Sequence, residues 1–265
     1  MNTLTAKCSD LLDRIVEKTG LSGKALKIIA SIIMVIDHSA IAVLNPYIDY
    51  NVGNMSYETF KSMTALYNYM RAAGRIAFPI YCFLLVEGFL HTSNFLRYAR
   101  NLLIGGLVSE VLFDLALFNR LTFSHQNVYF TLLIGLCCIH LIRELSERRN
   151  PMFSKLNPIL IYIGCLIAIG GSMTIAYYLK TDYSYKGVLA ITLMYLFRKN
   201  RLFKCVLGEI PFNYEPTAFI SIIPLLLYNK KRGSYRWKYT KYAFYAFYPA
   251  HLLILYIISW LMGCR

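Results

Sequence analysis

Long apolar runs alternate with short polar segments along this chain. Runs at residues 25 to 45, 72 to 91, 98 to 118, 127 to 143, 158 to 179, 185 to 198 and 242 to 262 read as helices crossing a membrane. The reason is length: about 20 apolar residues, rising about 1.5 Å each, cover the hydrocarbon core of a bilayer. An eighth stretch, residues 205 to 228, is equally apolar but interrupted by Pro211, Pro216 and Pro224, which break helices. The pattern predicts an all-α polytopic transmembrane bundle of about eight or nine helices, with 205 to 228 broken or re-entrant. Irregular backbone at that depth must be buried in protein or line a cavity.

Composition agrees. Hydrophobic residues make up 57% of the 265 and charged ones 16%, too oily for a soluble domain. The net charge of +14 does not point to nucleic acid, because most Lys and Arg fall in short segments between the apolar runs. With the N-terminus placed in the cytoplasm, the basic segments around Arg97 and Arg100 and at residues 143 to 155, 198 to 204 and 230 to 241 share its side. Residues 46 to 71, 119 to 126 and 180 to 184 form poorer loops opposite, the positive-inside asymmetry. It holds only if 205 to 228 enters and leaves by one side. Residues 1 to 23 are expected to be a cytoplasmic amphipathic segment, uncleaved, and 24 to 265 one membrane domain. The seven cysteines lack any CxxC pair and read as small core residues, neither disulfides nor metal ligands.

Ionisable residues inside such runs cost about 2.5 to 3.5 kcal/mol each on insertion scales, so they face the bundle interior and mark function. This chain has Asp37, His38, Arg75, Glu87, Glu110, Asp114 and His251. Asp37 and His38 stand about 100° apart on a helix and are expected to meet different neighbours. His38 lies about 20 Å of helix rise past Lys24, near the midplane, where a histidine can accept and donate protons. A lone histidine at that depth is ordinarily structural; the adjacent acid and the other polar groups favour function. Arg71 is expected to snorkel to the interface. Glu87 and His91 form an i, i+4 pair. Glu110 and Asp114 share a face and need a cation, for which Arg75 is the candidate. Arg97 and Arg100 sit on one side of a helix start, suited to phosphates as well as to plain topological anchoring. His251 follows Pro249, which can open backbone to bond it.

Five segments carry a family resemblance: "LKIIASIIMVIDHSA", "GRIAFPIYCFLLVEGF", "YARNLLIGGLVSEVLFDLA", "DYSYKGVLAITLMYLF" and "KYAFYAFYPAHLLIL". In order, over residues 26 to 256, they resemble the TraX family, whose namesake is a membrane acetyltransferase acting on the N-terminus of conjugative pilin. More distantly the layout is similar to acyltransferase-3 membrane enzymes. Those have a functional histidine ending the first helix, a "GFL" ending the second and an Arg-x-x-Arg pair opening the next. His38, Gly88 to Leu90, and Arg97 with Arg100 match those places. The wider family often has serine where this chain has Glu87.

The resemblance implies an acetyl-CoA-dependent acyltransferase of the cytoplasmic membrane. Its expected partners are an acyl-CoA, the bilayer and an unidentified peptide or glycan acceptor, with no nucleic acid and no metal. Arg97 and Arg100 would take the donor's phosphates. His38 would deprotonate the acceptor, with Asp37 and Arg75 organising the pocket and Arg75 a candidate for the oxyanion. Glu87, Glu110, Asp114 and His251 would support it. Two readings of other classes compete. A proton-coupled transporter would also use buried Asp, Glu and His and a broken segment, although no internal repeat is visible. A non-catalytic membrane assembly factor would hold its substrate without chemistry.

Overall fold

A computed structural model describes residues 14–147, 153, 156–234 and 240–264. The expected N-terminal segment falls largely on residues 1 to 13, outside the described residues; 14 to 19 are helical. Helix α1 (Gly23–Ser39) runs through a π-helical stretch (Ala40–Leu44) into α2 (Asn45–Asn51). There follow α3 (Tyr57–Gly74), α4 (Ala77–His91), α5 (Phe95–Phe118), α6 (Val128–Ser146), α7 (Pro158–Tyr178), α8 (Ser184–Leu196), α9 (Arg201–Glu209), α10 (Ile222–Leu226) and α11 (Thr240–Leu261). No strand is assigned among the described residues, only two isolated β-bridges.

Local chemistry sets the helix starts. Ser22, Ser56, Asn94, Asn127, Asn157 and Asn200 stand at the N-caps of α1, α3, α5, α6, α7 and α9. The side chain of each accepts a first-turn backbone N–H, which satisfies a group that helix geometry orphans. Asn119, at φ 55°, ends α5 in the left-handed conformation that Asn tolerates better than most residues.

Six helical stretches are long and apolar enough to span a membrane: Gly23–Asn54, Tyr57–His91, Phe95–Phe118, Val128–Ser146, Pro158–Tyr178 and Ala243–Leu261. Their outer faces expose large apolar side chains such as Ile28, Ile32, Leu103, Leu107, Ile159 and Leu166, a surface that only lipid or a partner can cover. The chain is a multi-pass membrane protein. Three sequence expectations need correction. The run at 185 to 198 is a 13-residue helix, α8, too short to count among the spans; it packs against α4, α6, α7 and α9 with most of its side chains buried. Residues 46 to 71 are mostly helix, because Ser56 starts α3 well before the apolar run begins. The first span likewise continues to Asn54.

The interrupted segment folds back on itself. α9 leads into 3-10 turns at Ile210–Phe212 and Pro216–Ser221, and α10 returns. The Arg201 side chain donates to the Leu226 carbonyl at 2.9 Å, so the two ends meet. Beyond α10 the chain runs along the start of α1: Leu21 donates to the Leu227 carbonyl at 2.7 Å, Gly23 to that of Lys231 at 2.8 Å and Lys24 to that of Arg232 at 3.0 Å. Lys230 pairs there with Glu17 at 2.7 Å and holds its carboxyl below the usual carboxylate range. We call this the basic end and the opposite one the far end.

Around the middle, α1 packs on α4, α4 on α8, α8 on α6, α6 on α5, α5 on α11, and α11 on α1 and the π-helical stretch. This ring of helices encloses the polar interior described next.

Candidate active site

A cavity of about 480 Å³ enters the ring from the basic end. Lys27, His91, Lys230 and Arg232 stand at its mouth, Glu87, Gly88, Tyr98 and Leu102 along its walls, and Tyr129 and Tyr245 deeper in. Gly88 lets Tyr98 approach: a Cβ would stand 2.9 Å from its hydroxyl, which would have to shift. The Glu87 carboxylate is bonded by Lys204 from α9, and the same ammonium lies 3.9 Å from the centre of the Phe83 ring. This pair clamps the re-entrant segment to α4. His91 stands 3.8 Å from Glu87, so the i, i+4 pair exists, but Lys204 is the closer partner.

Beyond the cavity floor, aromatic rings lead to the buried histidine. The Tyr129 ring is 5.2 Å from that of Tyr248, and Tyr248 is 5.9 Å from His38. His38 Nδ1 and His251 Nε2 are 2.7 Å apart, with the two rings nearly parallel and both residues buried. His251 Nδ1 lies 2.9 Å from the Phe247 carbonyl oxygen. The Tyr248 hydroxyl is buried with no hydrogen-bond partner among the described residues. Pro249 lies inside α11 and lacks the N–H that would bond the Tyr245 carbonyl one turn back. That carbonyl instead accepts from the Tyr129 hydroxyl at 3.3 Å. The Tyr245 carbonyl thus serves Tyr129, while His251 bonds the Phe247 carbonyl in the same stretch of backbone. Just past His38, the π-helical stretch is of a kind frequent at functional sites.

As the 100° offset requires, Asp37 leaves His38 for another helix. Arg71 of α3 bonds its carboxylate at 2.5 Å; Arg71 therefore turns inward and does not snorkel. Gly74 lets the carboxylate lie against α3, since a Cβ there would sit 2.2 Å from Asp37 Oδ1. Arg75 holds Glu215, from the tip of the re-entrant segment, at 3.2 Å and donates to the Tyr183 hydroxyl oxygen. Asp182, in the far-end loop between α7 and α8, faces this cluster. Burial and the charge of Asp37 push its carboxyl up to about 6.

Other expected members lie apart. Glu110 and Asp114 do not share Arg75. Glu110 accepts from the Asn127 side chain at 2.5 Å and from its backbone N–H at 3.0 Å, and Asp114 accepts from the Thr122 N–H at 2.8 Å. Both acids tie the α5–α6 turn, where amide donors replace the expected cation. Arg97 and Arg100 line a separate hollow with Asn94 and Leu96 and do not line the large cavity. Among the described residues, no group of three or more His, Cys, Asp or Glu is placed to hold a metal. Sequence reasoning missed Tyr248, Lys204, Asp182, Tyr183 and Glu215, and the basic mouth at Lys27, Lys230 and Arg232. Tyr248, one turn before His251, carried a signal. The others are joined only by tertiary contacts.

A family model described as "TraX protein" matches residues 22–259. The chain is also 30% identical over 250 residues to a protein named "Probable fimbrial assembly protein FimC, serogroup H1" from Dichelobacter nodosus, covering 87% of this chain and 92% of that protein. No solved structure matches.

Proposed function

The chain belongs to the TraX family, and from that premise we propose that it is an integral membrane acetyltransferase. It moves an acetyl group from acetyl-CoA to an amine or hydroxyl of a peptide, pilin-like or glycan acceptor. The observation that carries this reading is the cavity. It begins among Lys27, Lys230 and Arg232 and ends at Tyr129, two aromatic rings short of His38. A volume near 480 Å³ falls in the range of small-molecule sites. A basic mouth suits the phosphates of a nucleotide, and the Leu84, Leu85, Leu102 and Leu132 side chains along the interior suit a pantetheine arm. The basic end faces the cytoplasm in this reading, with the protein in the cytoplasmic membrane and its N-terminus inside.

His38 acts as general base. It takes the proton from the acceptor N–H or O–H as that atom attacks the thioester carbonyl. The tetrahedral intermediate places negative charge on the former carbonyl oxygen, for which a preorganised donor is needed. Arg75 is committed to Glu215 and Tyr183; the Tyr248 hydroxyl, buried and without a partner among the described residues, suits the role. The C–S bond then breaks, and the CoA thiolate recovers the proton from His38. Tyr129 must swing aside, and the thioester must pass beside the Tyr248 ring, to reach the histidine. Asp37 with Arg71, and Arg75 with Glu215, hold α1, α3 and the re-entrant tip around the site.

The test is acetyl-CoA binding and turnover by the purified protein in detergent, beside His38→Ala. The expected result is binding by both and turnover by wild type alone. Absence of binding by wild type overturns the enzyme and leaves an assembly role, in keeping with the name of the fimbrial relative.

A further inference from the structure

The two buried histidines form a directed chain whose proton positions follow from one end. The acceptor at that end is the Phe247 carbonyl, 2.9 Å from His251 Nδ1, and a carbonyl oxygen can only accept. His251 Nδ1 therefore carries a proton. In a neutral imidazole the other nitrogen is then a bare acceptor, and His251 Nε2 is that nitrogen, 2.7 Å from His38 Nδ1. With both rings neutral, His38 Nδ1 must carry the proton of this second bond, which leaves its Nε2 with the free lone pair. We propose that His251 is a positioning residue that fixes this tautomer and points the basic Nε2 of His38 away from α11, toward the reacting groups.

The arrangement fixes the tautomer and orientation of His38 as a carboxylate does for the histidine of a hydrolytic triad, without bringing a second negative charge into the membrane. When His38 accepts a proton at Nε2, its Nδ1–H stays bonded to His251. The chain ends at a carbonyl that cannot take a proton onward, so the proton is held on His38 for return to the leaving thiolate. Stacking reinforces the alignment: Phe247 lies nearly parallel to His251 with ring centres 5.1 Å apart, and His251 in turn lies 6° from the plane of His38. The titratable and charged groups facing His38 are His251 and Tyr248 from α11 and Arg71 from α3. Asp37, on its own helix, is turned to Arg71. Arg71 is engaged by that carboxylate, which leaves His251 as the hydrogen-bond partner that decides the tautomer.

The use of the tautomer rests on the acetyltransferase reading; the tautomer itself does not. It is read by ¹⁵N NMR of the full chain with labelled histidine, the His38 signals assigned by their loss in His38→Gln. The expected spectrum has a protonated Nδ1 and an unprotonated Nε2 on His38. A protonated Nε2 with a bare Nδ1 overturns the proposal whether or not acetyl-CoA is turned over. The kinetic arm compares His251→Gln, whose amide oxygen can still accept from His38 Nδ1–H, with His251→Leu, which offers no acceptor. Leu is expected to lose about 100-fold or more in kcat with KM for acetyl-CoA unchanged, and Gln to stay within about tenfold of wild type. Equal losses in the two overturn the positioning role. If wild type turns over no acetyl-CoA, the enzyme reading falls and the NMR result decides the tautomer alone.

Discussion

Gly74→Ala tests the contact that holds Asp37 in place. An added Cβ would stand 2.2 Å from Asp37 Oδ1 and 2.4 Å from its Cβ and Cγ, against the roughly 3.5 to 4.0 Å of a relaxed contact. Something must move by more than an ångström. If α1 and α3 spread, the cost is that of overpacking, about 1 to 3 kcal/mol. If Asp37 rotates away, Arg71 loses its partner. Breaking a fully buried pair costs about 3 to 5 kcal/mol, but these side chains retain 21% and 13% exposure, so about 1 to 3 kcal/mol is the reasonable share. Either route predicts a loss of about 1 to 3 kcal/mol, in spite of the gain of up to about 1 kcal/mol that alanine brings to a helix over glycine. The assay is reversible unfolding in mixed detergent micelles, repeated in an Asp37→Gly background. There the obstructing atoms are gone, and the same substitution should be neutral or stabilising. A neutral or stabilising Gly74→Ala in the wild-type background would refute the reasoning, as would an equal loss in both backgrounds.

Other consequences follow from the same geometry. Tyr248→Phe should lower kcat for acetyl transfer by about 100- to 1,000-fold with KM unchanged, the usual loss for an oxyanion donor; because the hydroxyl has no partner among the described residues, thermal stability should not fall. Lys27→Gln/Arg232→Gln should weaken acetyl-CoA binding measured by calorimetry at least tenfold, whereas Arg97→Ala/Arg100→Ala, outside the cavity, should leave it within about threefold. Gly187→Ala, whose Cβ would meet Thr131 Cγ2 at 2.6 Å and Phe78 at 2.9 Å, should destabilise by about 1 to 3 kcal/mol in the same unfolding assay. Asp182 gives a pH dependence of known sign. Its folded pKa, raised from 3.8 to about 6, means the folded state binds the proton more tightly. The associated stability is full below about pH 4 and is lost as pH rises through about 6. Wild type should therefore lose stability relative to Asp182→Asn across that window, and a rise would contradict the burial of the carboxyl.

Span positions and helical phase were legible along the chain. The apolar runs located the long helices, and the offset of Asp37 from His38 sent them to different neighbours. The interruptions at Pro211 and Pro216 marked the segment that folds back. The family segments singled out His38 as the candidate base and brought His251 into view without a role. Pairing was another matter. Glu110 was assigned a guanidinium and has an asparagine; Arg71 was sent to the interface and turned inward; Arg97 and Arg100, read as a phosphate pair, line a hollow apart from the large cavity, whose lining includes Lys27, Lys230 and Arg232.

What the sequence determined by itself is therefore what periodicity and transfer free energy decide. A helix must satisfy its own backbone in lipid, so long apolar runs dictate spans, and a charge at mid-depth dictates an inward face. Neither principle says which inward faces meet. His38 and His251 are 213 residues apart, and Arg75 and Glu215 come from separate elements. Their contacts exist because α11 closes the ring against α1 and because the re-entrant tip reaches α3 and α4. Ring closure and that tip fix distances of a few ångströms between groups that carry no local trace of each other, and those distances made the proton chain.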